Sequence, residues 1–448
     1  MSGLARCRGT LAAAEAAVGV VPAYAADAIA AKATTQFVTP EAVDAREKII
    51  RHDIMSMVQL LTDAVEAGSP GSGNFVHAGA TSYCIEDNRT AMQLTEAAEI
   101  VERLLLEFGG GLKMRAVMHR DLAMMGRTHT QPAEPITLGL KFAKHLFDVI
   151  LDIIMWRFVR KNYILGKPMN GAVGTAASYV QLAGKEGALK IAELVMNKLE
   201  LSPALITYQI VTRKSHAFVA AALANVAMTC YRFAQECYHL GRPEIGEILP
   251  RKLDPRKVGS SAMPAKAAFP NDIEGENVMG NARVVKNLLM VALDDIPTLH
   301  ERTLDNSAAE RVWVPHMFML TDECLTRCVR KLDSMVVVEG RIAENLERFS
   351  WYTFTEPLMM ELVKRGVGRQ EAHHKLQEYC VELRQSGESK DPVVMLSGMF
   401  NGSISSDEIR QLQKGHAGYV GMAPEFTDKV VAAFDKLATN TEDQKEKE

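Results

Sequence analysis

Residues 89–118, RTAMQLTEAAEIVERLLLEFGGGLKMRAVM, set Leu94, Ala98, Val101, Leu105, Phe108 and Leu112 alternately four and three positions apart. That spacing lines one face of a helix packed in a bundle. The triple glycine at 109–111 is expected to weaken this helix locally. A second segment, 136–163, carries Leu138, Phe142, Val149, Ile153 and Trp156 with few breakers, and similar segments follow near 183–199, 213–241, 276–296 and 309–346. The chain is 47% hydrophobic but only 6% aromatic, and its Ala-, Leu-, Met- and Glu-rich stretches favour helices over aromatic, β-branched strands. The expected fold class is therefore all-α: an elongated central bundle over 89–346, flanked by a helical domain at 1–88 and another at 347–448. The charged tail, 439–448, lacks a core face and is expected to fray.

Composition narrows the function. The net charge is −4, and Lys and Arg read as spread along the chain, so no nucleic-acid partner is expected. The seven cysteines are odd in number and lack zinc-finger spacing, which fits a reducing cytoplasm. Cys324 and Cys328, one helical turn apart, are read as core residues, and neither metal nor cofactor is expected. Arg6 and Arg8 before an Ala-rich run ending near Ala25 superficially resemble an export signal. Glu15 interrupts that run, and an amphipathic helix from about Gly9 to Val18 followed by a turn at Pro22 accounts for the same residues. No stretch is read as reaching the roughly 18 uncharged apolar residues of a membrane span, so no membrane partner is expected.

Polar, Gly- or Pro-bearing stretches at 68–83, 126–135, 165–178 and 250–272 separate the helical segments, and the residues suited to chemistry fall in them. Residues 259–266 read Gly-Ser-Ser-Ala-Met-Pro-Ala-Lys. A serine becomes a base only by losing its proton, and backbone N–H groups together with Lys266 could stabilise the alkoxide of Ser260. His129 lies between Thr128 and Thr130, and Pro132 should keep that loop non-helical and aim the imidazole outward. His77 precedes Ala78-Gly79-Ala80-Thr81-Ser82, whose donors could grip a carboxylate or cap the following helix. Ser307 and Arg311 share a helix face and could hold a phosphate or carboxylate. Each feature has a plainer reading: a polar turn for the Gly-Ser-Ser, a surface residue for His129, a solvated charged face for 301–311.

Taken together and in order, these strings resemble the fumarase/aspartase superfamily, with its signature Gly-Ser-Ser-x-Met-Pro-x-Lys-x-Asn-Pro. Gln209–Lys214, Glu301–Arg311 and Gly368-Arg369-Gln370-Glu371-Ala372-His373 extend the similarity over almost the whole chain. They resemble the adenylosuccinate lyase family in particular, especially its animal-type branch. The resemblance implies a fumarase/aspartase-like helical fold and β-elimination of fumarate from a succinyl-amine, adenylosuccinate to AMP and SAICAR to AICAR, in purine biosynthesis. It makes Ser260 the base, His129 the general acid with Glu274 orienting it, and Lys266 the stabiliser of the dianionic carboxylate. It assigns substrate contacts to His77, Thr81, Ser82, Thr128, Gln209, Arg213, Ser261 and Met263, and a phosphate pocket to Arg302, Ser307 and Arg311. It implies a homotetramer with composite active sites and a small-molecule substrate, a succinylated purine nucleotide.

Two departures bear on substrate. After Lys266 the chain reads Ala267-Ala268-Phe269-Pro270, one residue longer than the signature and without its Asn, an amide that neither Ala268 nor Phe269 replaces. The family's leading Arg-Tyr segment, a phosphate contact, is also not found ahead of the first helix. The alternatives are a related fumarate-releasing lyase or cycloisomerase acting on another succinyl compound, and a non-catalytic scaffold homologue.

Overall fold

The computed structural model describes residues 2–387, 391–400 and 402–439. Four helices, α1 (Ser2–Ala17), α2 (Ala23–Lys32), α3 (Pro40–Ile50) and α4 (Asp53–Gly68), precede the long helix α5 (Ser82–Met118). A hairpin of β1 (Ala123–Thr128) and β2 (Gln131–Thr137) leads into α6 (Leu138–Tyr163), α7 (Ala177–Leu199), α8 (Arg213–Leu240), α9 (Ile273–Asp294) and α10 (Asp305–Ser334). Shorter helices run from Glu339 to Thr439. The all-α class stands, and the remaining strand pairings are two residues long: Leu165–Gly166 beside Ser202–Pro203, and Ile248–Leu249 beside Val336–Val337. The hairpin is new relative to the sequence reading, which took 126–135 as loop. Apart from Thr439, which closes the last helix, the expected frayed tail lies outside the described residues.

Contacts divide the chain into two compact units. The first comprises Met1–Leu104, Asp152–Met228 and Asn281–Asp322. Here α5 and α6 are locked by Trp156, whose Nε1 donates to the Ala98 carbonyl at 2.9 Å, and by Arg157 and Arg160 paired with Glu102. Helix α1 is not amphipathic as expected: residues 7–12 are buried without a break, as are Ala14 and Glu15, so burial runs round the helix. Small residues permit this, since a Cβ at Gly9 would lie 3.3 Å from Cα of Ala30 on α2. Helix α7 breaks at Gly184, whose φ of 70° and ψ of 175° suit only glycine.

The second unit comprises Leu105–Leu151, Thr229–Gly280 and Glu323–Glu448. Phe108 meets Phe233 edge-on at 5.2 Å, and the C-terminal helices close over Phe354, Leu358, Leu362, Tyr379, Leu396 and Ile409. The three glycines do not break α5. A Cβ at Gly109 would lie 2.3 Å from the Phe434 ring, and one at Gly111 would lie 2.8 Å from Leu332. Two of the three glycines thus admit neighbours to the helix axis, which repays their conformational cost.

Helix α8 has the length and composition to cross a membrane, which corrects the reading that no stretch comes near that limit. Val219, Ala220, Leu223, Val226, Ala227 and Phe233 along it are buried within the protein, as in the core helix of a globular bundle.

Two outcomes follow for stability. Gly109→Ala should destabilise the protein by about 1–3 kcal/mol through overpacking against Phe434, whereas Gly110→Ala, with nothing within 4 Å of its Cβ, should stabilise it by up to about 1 kcal/mol. Urea titration of the pair reads the difference. Glu15 is 1% exposed with neither carboxyl oxygen hydrogen-bonded, and burial pushes its pKa up to about 8 from an ordinary 4.5. The folded chain keeps a proton that the unfolded chain sheds, so this group costs stability as pH rises from about 4.5 to about 8. Glu15→Gln should match the parent at about pH 4 and exceed it at about pH 8 by on the order of 4 kcal/mol, measured by urea denaturation at both values.

Candidate active-site loops

In the second unit, His129 and Thr130 form the two-residue turn of the hairpin, with Thr128 opposite Gln131. Their φ values of 52° and 64° describe a type I′ turn, strained for non-glycine residues. The turn carries His129 to the exposed tip, where its ring hydrogen-bonds to none of the described residues. The base of the hairpin is fixed. Arg127 donates from Nη1 and Nη2 to the buried Glu247 carboxylate at 3.0 and 2.7 Å, and Asn345 donates to the same group at 2.9 Å. Gly126 lets the strands close, since a Cβ there would lie 2.5 Å from the Glu134 carbonyl.

Ser260 sits in a loop that folds back on itself. Its Oγ accepts hydrogen bonds from the backbone N–H groups of Ala262 and Met263, each at 3.2 Å. Two donors aimed at one oxygen favour its ionised form. A Cβ at Gly259 would lie 2.5 Å from the Lys266 carbonyl, so the two arms of the loop touch. Ser261 and Met263 are exposed, and the half-buried Lys266 ammonium pairs with none of the described residues. Pro264–Ala268 form a 3₁₀ turn, and Asn271 beyond it is exposed.

The loop ends on two fixed carboxylates. Asp272 caps α9 by accepting from the Gly275 N–H at 3.1 Å, and it is held by the fully buried Lys331 at 2.5 Å. Glu274, one step into α9, receives Arg327 Nη1 at 2.7 Å. Within this chain the residue expected to orient His129 is therefore engaged by Arg327.

The first unit gathers a second group. Arg302 lies over the Tyr83 ring at 4.2 Å and donates to Asn306 at 2.8 Å, while its Nε and Nη2 are buried without partners among the described residues. The hydroxyl of Ser307, at the start of α10, hydrogen-bonds to none of the described residues. Gln209 is brought beside Arg302, its N–H donating to the Glu301 carbonyl at 3.0 Å and its Nε2 to that of Ala172 at 3.1 Å. Thr81 and Ser82 begin α5 with hydroxyls that cap nothing among the described residues. Two unpaired guanidinium nitrogens, free hydroxyls and helix starts form an anion-binding chemistry. Arg311 is exposed and unpaired among the described residues.

Arg213 is employed differently from the substrate contact that the resemblance implied. It is 2% exposed, and its guanidinium reaches Asp87 at 3.0 Å, Glu310 at 2.5 Å and the Val211 carbonyl at 3.0 Å. Burial opposes its charge, yet the two carboxylates raise its pKa above the ordinary arginine value. His77, at φ 65°, is driven down to about 4 by burial, with Arg8 adding to the effect, and its Nδ1 lacks a partner. It is a neutral imidazole at pH 7. The sequence reading missed Tyr83, Glu310, Arg327 and Lys331; Tyr83 and Glu310 adjoin recognised strings, while the other two sit on a helix with no local signal.

Residues 5–286 match the family model described as lyase, and residues 352–430 match that of the adenylosuccinate lyase C-terminus. The chain is 35% identical to the adenylosuccinate lyase of Methanothermobacter thermautotrophicus, over 95% of this chain and 92% of that one. It is 36% identical to the adenylosuccinate lyase of Pyrococcus horikoshii, over 95% and 91%. Among solved structures it resembles the 3-carboxy-cis,cis-muconate lactonizing enzyme of Pseudomonas putida, with a TM-score of 0.84 and 25% identity over 98% of this chain and 94% of that one.

Arg213 and Arg302 should respond differently to removal. Arg213→Met strands Asp87 and Glu310 in the interior and should cost about 3–5 kcal/mol. Arg302→Met strands no carboxylate and should stay within about 1 kcal/mol of the parent while weakening anion binding. Urea denaturation, with and without added AMP, separates the two roles.

Proposed function

Because the chain belongs to the adenylosuccinate lyase family, carbon–nitrogen lyases of purine biosynthesis that eliminate fumarate, we propose that its Ser260 loop and His129 hairpin carry that elimination. In this reading Ser260, as alkoxide, takes a proton from the succinyl carbon next to the carboxylate. The electron pair passes into that carboxylate, and Lys266 with the loop amides stabilises the resulting dianion. His129 then gives its proton to the leaving nitrogen as the C–N bond breaks, and fumarate departs. The observation that carries the reading is Ser260 Oγ held by two backbone N–H donors. These donors lower the cost of the charged oxygen before substrate arrives.

Arg302, Ser307 and Arg311 would hold the phosphate, with Gln209, Thr81, Ser82, Thr128, Ser261, Met263 and the neutral His77 around the rest of the nucleotide. Arg213 acts through Asp87 and Glu310 as a positioning residue. A homotetramer with composite sites suits the exposed apolar stripe Phe147, Leu151, Ile154 and Phe158 on α6. It also suits the unpartnered ring of His129, whose orienting carboxylate, Glu274, would come from a neighbouring copy. A cytoplasmic location fits seven free cysteines, six of them buried. The division at 88 and 346 is kept as a proposal, supported at its C-terminal end by the self-contained core from Phe354 to Ile409.

Purified protein incubated with adenylosuccinate should release fumarate and AMP in equal amounts, quantified by chromatography, and Ser260→Ala should lower turnover by about 10²-fold or more. Intact turnover in that variant would remove the proposed base.

A further inference from the structure

Four cations just ahead of the reacting serine, Arg251, Lys252, Arg256 and Lys257, have no role in this mechanism. Residues 250–266 hold Arg251, Lys252, Arg256, Lys257 and Lys266 against the single carboxylate of Asp254, on a chain whose net charge is −4. The even spread of Lys and Arg expected from the sequence fails here.

These cations are not equivalent. Arg256 is spent on Asp254, with Nε and Nη2 each 3.0 Å from the carboxylate and its backbone N–H at the same distance. Those bonds hold the Asp254 carboxyl below its ordinary pKa, and Lys257 and Arg251 add a smaller pull, so both stand within Coulomb reach of it. No ion pair or hydrogen bond among the described residues occupies the ammonium of Lys252, Lys257 or Lys266. Nη1 of Arg251 is buried without a partner.

Part of this surplus, Lys257 and Lys266, flanks the reacting serine in the chain. A Cβ at Gly259 would meet the Lys266 carbonyl at 2.5 Å and the Ala267 nitrogen at 3.0 Å. The arm carrying Lys257 therefore returns beside Lys266, with Ser260 in the bend. Like charges gathered without counter-charge repel one another, and a polyanion relieves that repulsion.

We propose that Lys252 and Lys257, together with Lys266, form an electrostatic collector that draws a polyanionic succinyl-nucleotide onto the Ser260 loop. This rests on the lyase reading and adds to it residues that set the rate of capture. A substrate with two carboxylates and a phosphate feels such a field over a screening length, so association quickens and the effect fades as salt rises.

The test uses Ser260→Ala protein, so that adenylosuccinate binds without turnover, and follows association by stopped flow at ionic strengths of about 0.01 and about 0.3 M. The comparison protein adds Lys252→Gln and Lys257→Gln, and a second adds Lys252→Arg and Lys257→Arg. Circular dichroism and native mass verify that all three fold and assemble alike. The expected result is an association rate constant about threefold or more lower in the glutamine protein at low salt, convergence at high salt, near-parental rates with arginine, and unchanged dissociation. Equal association rates and equal salt dependence in the parent and glutamine proteins would overturn the collector. Absence of adenylosuccinate binding in all three, with no fumarate from the wild-type chain, would instead overturn the lyase reading and the collector with it.

Discussion

A guanidinium buried to 2% exposure must be paired, and Arg213 meets that demand with Asp87 on α5 and Glu310 on α10. Removing either carboxylate leaves a charge in a low-dielectric interior, a penalty larger than the net worth of the pair itself. The three groups therefore fix geometry more than they add stability. Asp87 also accepts the Val211 N–H at 2.7 Å, so the strand of chain from Gln209 to Arg213 is fastened to α5. With Gln209 fastened in turn to Glu301, the approach to Arg302 follows from the same lock.

The second unit repeats the device with other residues. Lys331 and Asp272 fix the exit of the Ser260 loop, and Arg127 with Glu247 and Asn345 fixes the base of the His129 hairpin. The Ser260 and His129 side chains, which we propose to react, thus sit on segments anchored by ion pairs. A type I′ turn built from His and Thr is a costly choice where Asn-Gly would be relaxed. The buried ion pair at its base makes that conformation hold.

The long helices were legible because their burial is periodic: α6 and α8 fall within two residues of the apolar patterns that announced them, while α5 ends where its pattern does but starts seven residues earlier, at Ser82. What the pattern could not supply was partner identity. Three successive glycines read as a weak point when the helix is considered alone, yet Phe434 and Leu332 pack into two of them from far along the chain. The hairpin escaped for a related reason, since its strands are short, β2 carries Pro132 and Pro135, and β1 buries Met124 and Met125 in succession rather than in alternation. Local alternation was too brief to register. The stretch from about Gly9 to Val18 was read as amphipathic because Glu15 interrupts its apolar run, and only the structure shows that Glu15 is buried.

The site was legible to the extent that motifs name residue types, and it stopped at what each charge is used for. Sequence presents Arg213, Arg302, Arg311 and Lys266 as equivalent cations in chemistry-bearing strings and gives Lys331 no signal at all. Partnership separates them: Arg213 and Lys331 are buried and spent on carboxylates, whereas Arg302 keeps two nitrogens without partners and Lys266 keeps its ammonium. A spent cation contributes position, because its field is cancelled by the carboxylate beside it. An unspent one contributes a field, and that field persists only if the fold tolerates the repulsion it entails. By that criterion the proposed collector at the Ser260 loop, whose Lys252, Lys257 and Lys266 ammonium groups pair with none of the described residues, would trade stability for attraction. The absence of a side-chain amide after Lys266 is then less of a loss than it looks in the sequence, since long-range attraction needs charge near the serine and not one particular hydrogen-bonding group.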